Sequence, residues 1–153
     1  MQPRELDKKT LDKIRELVEA NFGGRDELYA AAESLDDQDA ERVCRRLAEH
    51  LAGHATDLQH ILAACGHEVT GPLDIDDIVA ALFESIKQQQ GAPGIFEVAE
   101  GKQRDLKRGY DRAIEETTTE DTKELLRGQR NQIEFAESVL RRMKHSESKT
   151  ENG

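Results

Sequence analysis

A continuous helical pattern from Gln38 to Cys65 constrains the fold more than any other stretch of the sequence. Apolar residues return along it every three or four positions, which is the spacing that gathers side chains on one face of an α-helix. His54 falls within that apolar line, His50 lies at its edge and His60 points outward. Any chemistry in this protein is therefore expected where this helix meets its neighbours.

Similar patterns predict three further long helices and one short helix. The first long helix is predicted from about Asp7 to Leu35, the third from about Ile95 to Glu116 and the fourth from about Glu120 to Met143. A short helix from about Ile75 to Gln90 is predicted in the long connection between helices 2 and 3, either along the bundle, so that helix 3 runs parallel to helix 2, or across one end. The sequence thus predicts an all-α four-helix bundle of two helical hairpins, as one domain over residues 7–144 with a disordered polar tail at 145–153.

Composition excludes several functional classes. The chain has 153 residues and a formal net charge of −10, which disfavours nucleic acid and anionic membranes as partners because both require a positive surface. No apolar run approaches the roughly 20 residues of a membrane span, and no signal-peptide pattern opens the sequence, so a cytoplasmic location is expected. Cys44 and Cys65 lie about 30 Å apart on one predicted helix and cannot pair with each other.

Four stretches together resemble a known superfamily. The chain is similar to the ferritin-like superfamily, and within it to a family of small bacterial ferritin-like proteins of unknown function. The stretches that carry this likeness are Leu17–Ala32, Ala48–Gly66, Lys102–Ala113 and Leu125–Leu140. The resemblance implies a four-helix bundle whose di-iron members place one Glu on each of two helices and Glu-x-x-His on each of the other two.

The ligands that this resemblance implies are mostly missing from the sequence. His54 matches the expected histidine, but Leu51 stands where the glutamate three residues earlier is expected. The inward position on helix 3 is Gln103. Helix 4 has Glu137 where the second histidine is expected, and Glu134 falls off the apolar stripe. Neutral amides cannot neutralise two hard cations as bridging carboxylates do.

Residues equally distant from a hairpin turn lie at the same level, and this rule predicts a polar belt inside the bundle. Asn21 is level with His54 and lies on the apolar line of helix 1, whereas Glu27 is expected to face outward. A buried amide is costly unless hydrogen-bonded, so the belt should form a mutually satisfied network that fixes the register of the helices. The predicted belt consists of Asn21, His54, Gln103 and either Gln129 or Gln132.

Two functional hypotheses remain from the sequence. The first is a non-catalytic bundle without a cofactor that binds a protein partner or associates with itself, for instance as a homodimer. The alternative is a ferritin-like protein that binds iron or zinc through an incomplete set of ligands, His50, His54 and Glu137, of which the two histidines have a chelating i, i+4 spacing. Glu134 and Glu137 are otherwise expected on a solvated face, and Tyr110 in the core with its hydroxyl at the rim.

Overall fold

The computed structural model describes residues 6–66 and 91–152, and in these residues the chain forms four long helices and no strand. The all-α prediction is confirmed for this part of the chain. The short helix predicted from about Ile75 to Gln90 lies outside the described residues. The helices are α1 (Lys8–Ser34), α2 (Gln38–Ala64), α3 (Ala92–Glu116) and α4 (Glu120–Asn152).

Local sequence explains where the first two helices begin and end. The Asp7 side chain accepts a hydrogen bond from the Thr10 backbone N–H at 2.8 Å, and Asp37 caps α2 in the same manner. Such caps satisfy backbone donors that have no partner within the helix. Gly66 follows α2 with φ of +79°, a left-handed conformation that favours glycine. The predicted boundaries of α1 and α2 agree with these ends.

Both later helices are longer than predicted. α3 begins at Ala92 rather than Ile95, because Pro93 lies in its first turn, where proline has no hydrogen bond to lose. α4 continues past its predicted end at Met143, through most of the segment predicted as a disordered tail, to Asn152. The residues after Met143 carry no apolar stripe, but Lys144 forms an ion pair with Glu100 of α3 at 3.0 Å and ties this part of α4 to the bundle.

Contacts between α1 and α3 fix the direction of the helices. Thr10 donates to the carbonyl oxygen of Glu116, whereas Glu27, further along α1, faces Lys102, which lies earlier in α3. α1 and α3 are therefore antiparallel. Since α1 and α2 form one antiparallel hairpin, α3 runs parallel to α2, and the end of α2 and the start of α3 lie at opposite ends of the bundle.

The core is one apolar cluster shared by the four helices. α1 packs along α2, α3 along α4 and α1 along α3, whereas α2 and α4 approach each other at few positions. The largest fully buried apolar side chains are Ile14, Leu28, Leu51, Leu58, Leu62, Phe96, Leu126, Ile133 and Leu140.

Candidate functional site

A chain of hydrogen bonds crosses the middle of the bundle and joins all four helices. Asn21 Nδ2 on α1 donates to Tyr110 Oη on α3 at 2.9 Å, and Tyr110 Oη donates to Gln129 Oε1 on α4 at 2.6 Å. Gln129 Nε2 then donates to the backbone oxygen of His54 on α2 at 3.3 Å. We call these four residues the polar chain.

The polar chain is closed to solvent and nearly satisfied. Asn21 and Tyr110 are 0 % exposed, and Gln129 and His54 are 5 % exposed. Asn21 Nδ2 has a second acceptor in the Leu17 backbone oxygen at 2.8 Å, whereas Asn21 Oδ1 has no partner among the described residues. Burial raises the pKa of Tyr110, so the phenol keeps the proton that it donates to Gln129.

The His54 imidazole extends from the polar chain toward the surface. Its Nε2 lies 2.6 Å from Gln132 Oε1. A carbonyl oxygen only accepts, so Nε2 carries the proton and donates it, and Nδ1 is left with a lone pair. Nδ1 is buried and has no partner among the described residues. Burial lowers the pKa of His54, against the opposing effect of the Gln132 hydrogen bond, and keeps the ring neutral near pH 7.

The structure brings most of the predicted belt together but leaves Gln103 outside the polar chain. Gln103 is buried, yet it lies beside Gly24, and its Oε1 has no partner among the described residues. Tyr110 takes the central place instead, and its hydroxyl is deep in the core rather than at the rim as predicted. The signal in the sequence was its position on the apolar stripe, since a tyrosine hydroxyl buried there needs a partner.

The three candidate metal ligands do not converge. His54 faces Gln132, His50 is exposed, and Glu137 contacts Lys107 and Arg141, each at 3.1 Å. The residues that the structure describes contain no group of three or more His, Cys, Asp or Glu side chains placed to hold a metal ion.

The predicted solvated face at Glu134 and Glu137 is only half right. Glu134 is exposed, but Glu137 is 5 % exposed because α3 packs over it. Glu100 of α3 is buried beside it and accepts hydrogen bonds from Arg141 at 2.9 Å and Lys144 at 3.0 Å. Burial raises the pKa of Glu100, but these hydrogen bonds and charges outweigh it and hold the pKa below its ordinary value.

The prediction that Glu27 faces outward is wrong. Glu27 lies between α1 and α3 and is only 8 % exposed. The reason is that α3 also covers the side of α1 next to its apolar stripe, where Glu27 lies. Glu27 Oε1 lies 3.6 Å from Lys102 Nζ, and Oε2 has no partner among the described residues. Burial raises the pKa of Glu27 to about 7, and the nearby Lys102 opposes the shift.

Glu27 lines a groove of about 340 Å³ between α1 and α3, which we call the α1/α3 groove. Three glycines and an alanine contribute to its lining, so few side-chain atoms fill the space between the two helices. Its walls are Leu17, Ala20, Gly23, Gly24, Leu106 and Gly109, and its charged rim is Lys13, Glu16, Glu27, Lys102 and Asp105.

Comparison of the chain with protein-family models, curated proteins and solved structures finds no match. Within residues 6–66 and 91–152, no helix combines the length and apolar character needed to cross a membrane.

Proposed function

We propose that this protein is a non-catalytic, ferritin-like helical bundle that acts by binding a partner or by associating with itself. The observation that carries the proposal is the polar chain. In the superfamily that the sequence resembles, di-iron members fill the bundle interior with carboxylates and histidines. Here the corresponding interior level holds two amides, a phenol and a neutral histidine.

The chemistry of these groups supports a structural role for the polar chain. Amides and a protonated phenol carry no charge, so they cannot balance a pair of divalent cations in a low-dielectric interior. Most of their donors and acceptors are also engaged in hydrogen bonds across the four helices, apart from Asn21 Oδ1 and His54 Nδ1. The buried carboxylates Glu100 and Glu137 are already balanced by Arg141, Lys107 and Lys144.

One observation favours the alternative of a site for iron or zinc at His54. The Nδ1 lone pair is the form of imidazole that binds metals, and it has no hydrogen-bond partner among the described residues. His50 lies one helical turn earlier on α2. Such a site would have few ligands from the protein, because Glu137 is engaged elsewhere.

Metal analysis of protein purified without a histidine tag tests both proposals. We expect less than about one-tenth of an equivalent of iron, zinc or manganese, and no change in metal content in His54→Ala. The matched control is His60→Ala, which changes an exposed histidine on the same helix. Stoichiometric metal that is lost in His54→Ala and retained in His60→Ala would replace the non-catalytic proposal with the metal-binding one.

Light scattering coupled to size-exclusion chromatography tests the self-association part of the proposal. A mass near twice the 17.2 kDa of the chain indicates a homodimer. A monomer at all concentrations leaves binding of a different partner as the proposed mode of action.

A further inference from the structure

The α1/α3 groove is open to solvent, which the polar chain is not, and it contains an ionisable side chain, Glu27, that is incompletely paired. Its floor is apolar and formed largely by small residues. A Cβ added at Gly23 would meet no atom within 4 Å, so the space above this residue is free. At about 340 Å³, the groove lies within the size range of sites that hold small organic molecules.

Glu27 gives the groove a specific chemistry. Only one of its two carboxylate oxygens has a partner among the described residues, and that partner is Lys102, whose side chain is 46 % exposed at the mouth. The 3.6 Å contact is longer than a hydrogen bond, so the carboxylate oxygen beside Lys102 can still accept one, and rotation about the terminal bond only exchanges the two oxygens. A carboxylate with this capacity favours an N–H donor, and a charged donor makes the stronger hydrogen bond.

The other groups of the rim restrict the ligand further. Glu16 and Asp105 add two carboxylates, whereas Lys13 already pairs with Glu16 at 3.3 Å. An anionic ligand would therefore meet three carboxylates and two lysines, each of which already pairs with a glutamate. A metal ion would find a largely apolar floor in place of further oxygen ligands, and hard cations require several such ligands.

We propose that the α1/α3 groove binds a small molecule that carries a protonated amine on an apolar body. The Glu27 carboxylate accepts hydrogen bonds from the amine, and the apolar body lies over Gly23, Leu17 and Leu106. The groove is separate from the polar chain, so the proposal holds whether or not the protein associates with itself. The raised pKa of Glu27 is consistent with a carboxylate that lacks a full set of partners.

Calorimetric titration of the full chain with 2-phenylethylamine at pH 8 tests the site. We expect a single site with a Kd of about 1 mM, as is typical for so small a ligand. 2-Phenylethanol has the same apolar body without the charge and should bind about tenfold more weakly. Absence of amine binding, or equal affinity for the alcohol, would overturn the proposal.

Two substitutions separate the charge of the groove from its space. Glu27→Gln keeps the side-chain shape and should weaken amine binding about tenfold while leaving the alcohol unaffected. Gly23→Leu fills the groove and should abolish binding of both molecules. The matched controls are Glu134→Gln, at an exposed carboxylate, and Gly53→Leu, at a glycine that likewise has no atom within 4 Å of an added Cβ.

Circular dichroism establishes that each variant is folded before it is titrated. If Glu27→Gln does not fold, Gly23→Leu still decides whether the groove is the site. Amine binding that persists in Gly23→Leu, or that falls equally in Gly53→Leu, would place the ligand elsewhere and overturn the assignment.

Discussion

The polar chain and the α1/α3 groove both include residues of α1 and α3, but they differ in the charge and solvent access of their polar groups. Asn21 and Glu27 are six residues apart on α1, which corresponds to about 9 Å along the helix. At Asn21 the polar groups are neutral, and the amide nitrogen donates two hydrogen bonds within the bundle, although Oδ1 has no partner among the described residues. At Glu27 the group is ionisable, and one oxygen has no partner among the described residues.

The difference separates a structural polar site from one that can interact with other molecules. A nearly satisfied network of neutral groups that is closed to solvent rigidifies the core and is out of reach of a ligand. Burial destabilises the charged form of a carboxylate that is only partly paired. Binding of a ligand that supplies the missing hydrogen-bond donor is therefore favoured. Substitutions in the two regions should therefore change stability in opposite directions.

Removal of the hydroxyl at the centre of the polar chain should produce the largest effect. Tyr110→Phe leaves Gln129 Oε1 without its donor and removes one of the two acceptors of Asn21 Nδ2. Since a buried group without a partner costs about 1–3 kcal/mol, we expect a loss of about 3 kcal/mol in the free energy of unfolding. Urea denaturation measures it, with Tyr29→Phe, half-buried and outside the polar chain, as control. Similar losses in both variants would contradict the central role of Tyr110.

Replacement of the Glu27 carboxylate by a neutral amide should stabilise the protein at high pH. The pKa of Glu27 is raised to about 7, so its contribution to stability is complete below the ordinary value of 4.5 and is lost as the pH rises through about 7. A shift of this size, which already includes the opposing effect of Lys102, corresponds to about 3 kcal/mol. We therefore expect Glu27→Gln to be about 3 kcal/mol more stable than the native protein at pH 8 and nearly equal at pH 4. Unfolding curves at both pH values check this, and an equal effect at both would contradict it.

Alanine substitutions at two neighbouring glycines should have different effects on stability, because Gly23 faces the groove and Gly24 faces the core. Gly23→Ala adds a methyl group in open space and should stabilise α1 by about 1 kcal/mol, because alanine favours the helix. Gly24→Ala places its Cβ 2.8 Å from Leu51 Cδ1, so that side chain must move and the gain should disappear. Thermal unfolding of the two variants side by side measures the difference. Equal stabilisation would mean that the core at Gly24 accommodates a methyl group freely.

The smallest change is expected at the imidazole that ends the polar chain. His54→Leu removes a buried ring with an unpaired Nδ1 and releases Gln132, an exposed residue, to water. Stability at pH 7 should change by less than about 1 kcal/mol. The lowered pKa of His54 makes native stability fall as the pH drops below the ordinary value of 6.5, and the variant should lose this part of the acid sensitivity. Denaturation at pH 7 and 5 measures both effects, and failure of the variant to fold would contradict the picture.

The fold was largely predictable because its signals are local. Helical periodicity, the caps at Asp7 and Asp37 and the glycine after α2 depend only on residues close in sequence. The level of Asn21 with His54 followed from the geometry of one hairpin. In each of these features, the short stretch of chain between the residues fixes how far apart they can lie.

The residues whose positions the sequence predicts wrongly are those that depend on contacts between the two hairpins. The apolar stripe of each helix taken alone predicts Glu27 and Glu137 in solvent, whereas α3 covers both. Hairpin geometry predicts Gln103 at the level of Asn21, but the packing of α3 on α1 brings Tyr110 there instead. The relative height of the two hairpins is set by side-chain packing, and periodicity does not report it.

The hydrogen bond between Asn21 and Tyr110 also bears on the order in which the protein assembles. It joins residues 89 positions apart, whereas each hairpin is closed by a three-residue turn. Contacts that are local in sequence form quickly, so the hairpins should fold first and dock afterwards. Because the polar chain is complete only after docking, it acts chiefly on the rate at which the docked hairpins separate. We therefore expect the middle of the bundle to influence how long the native state persists more than how rapidly it is reached.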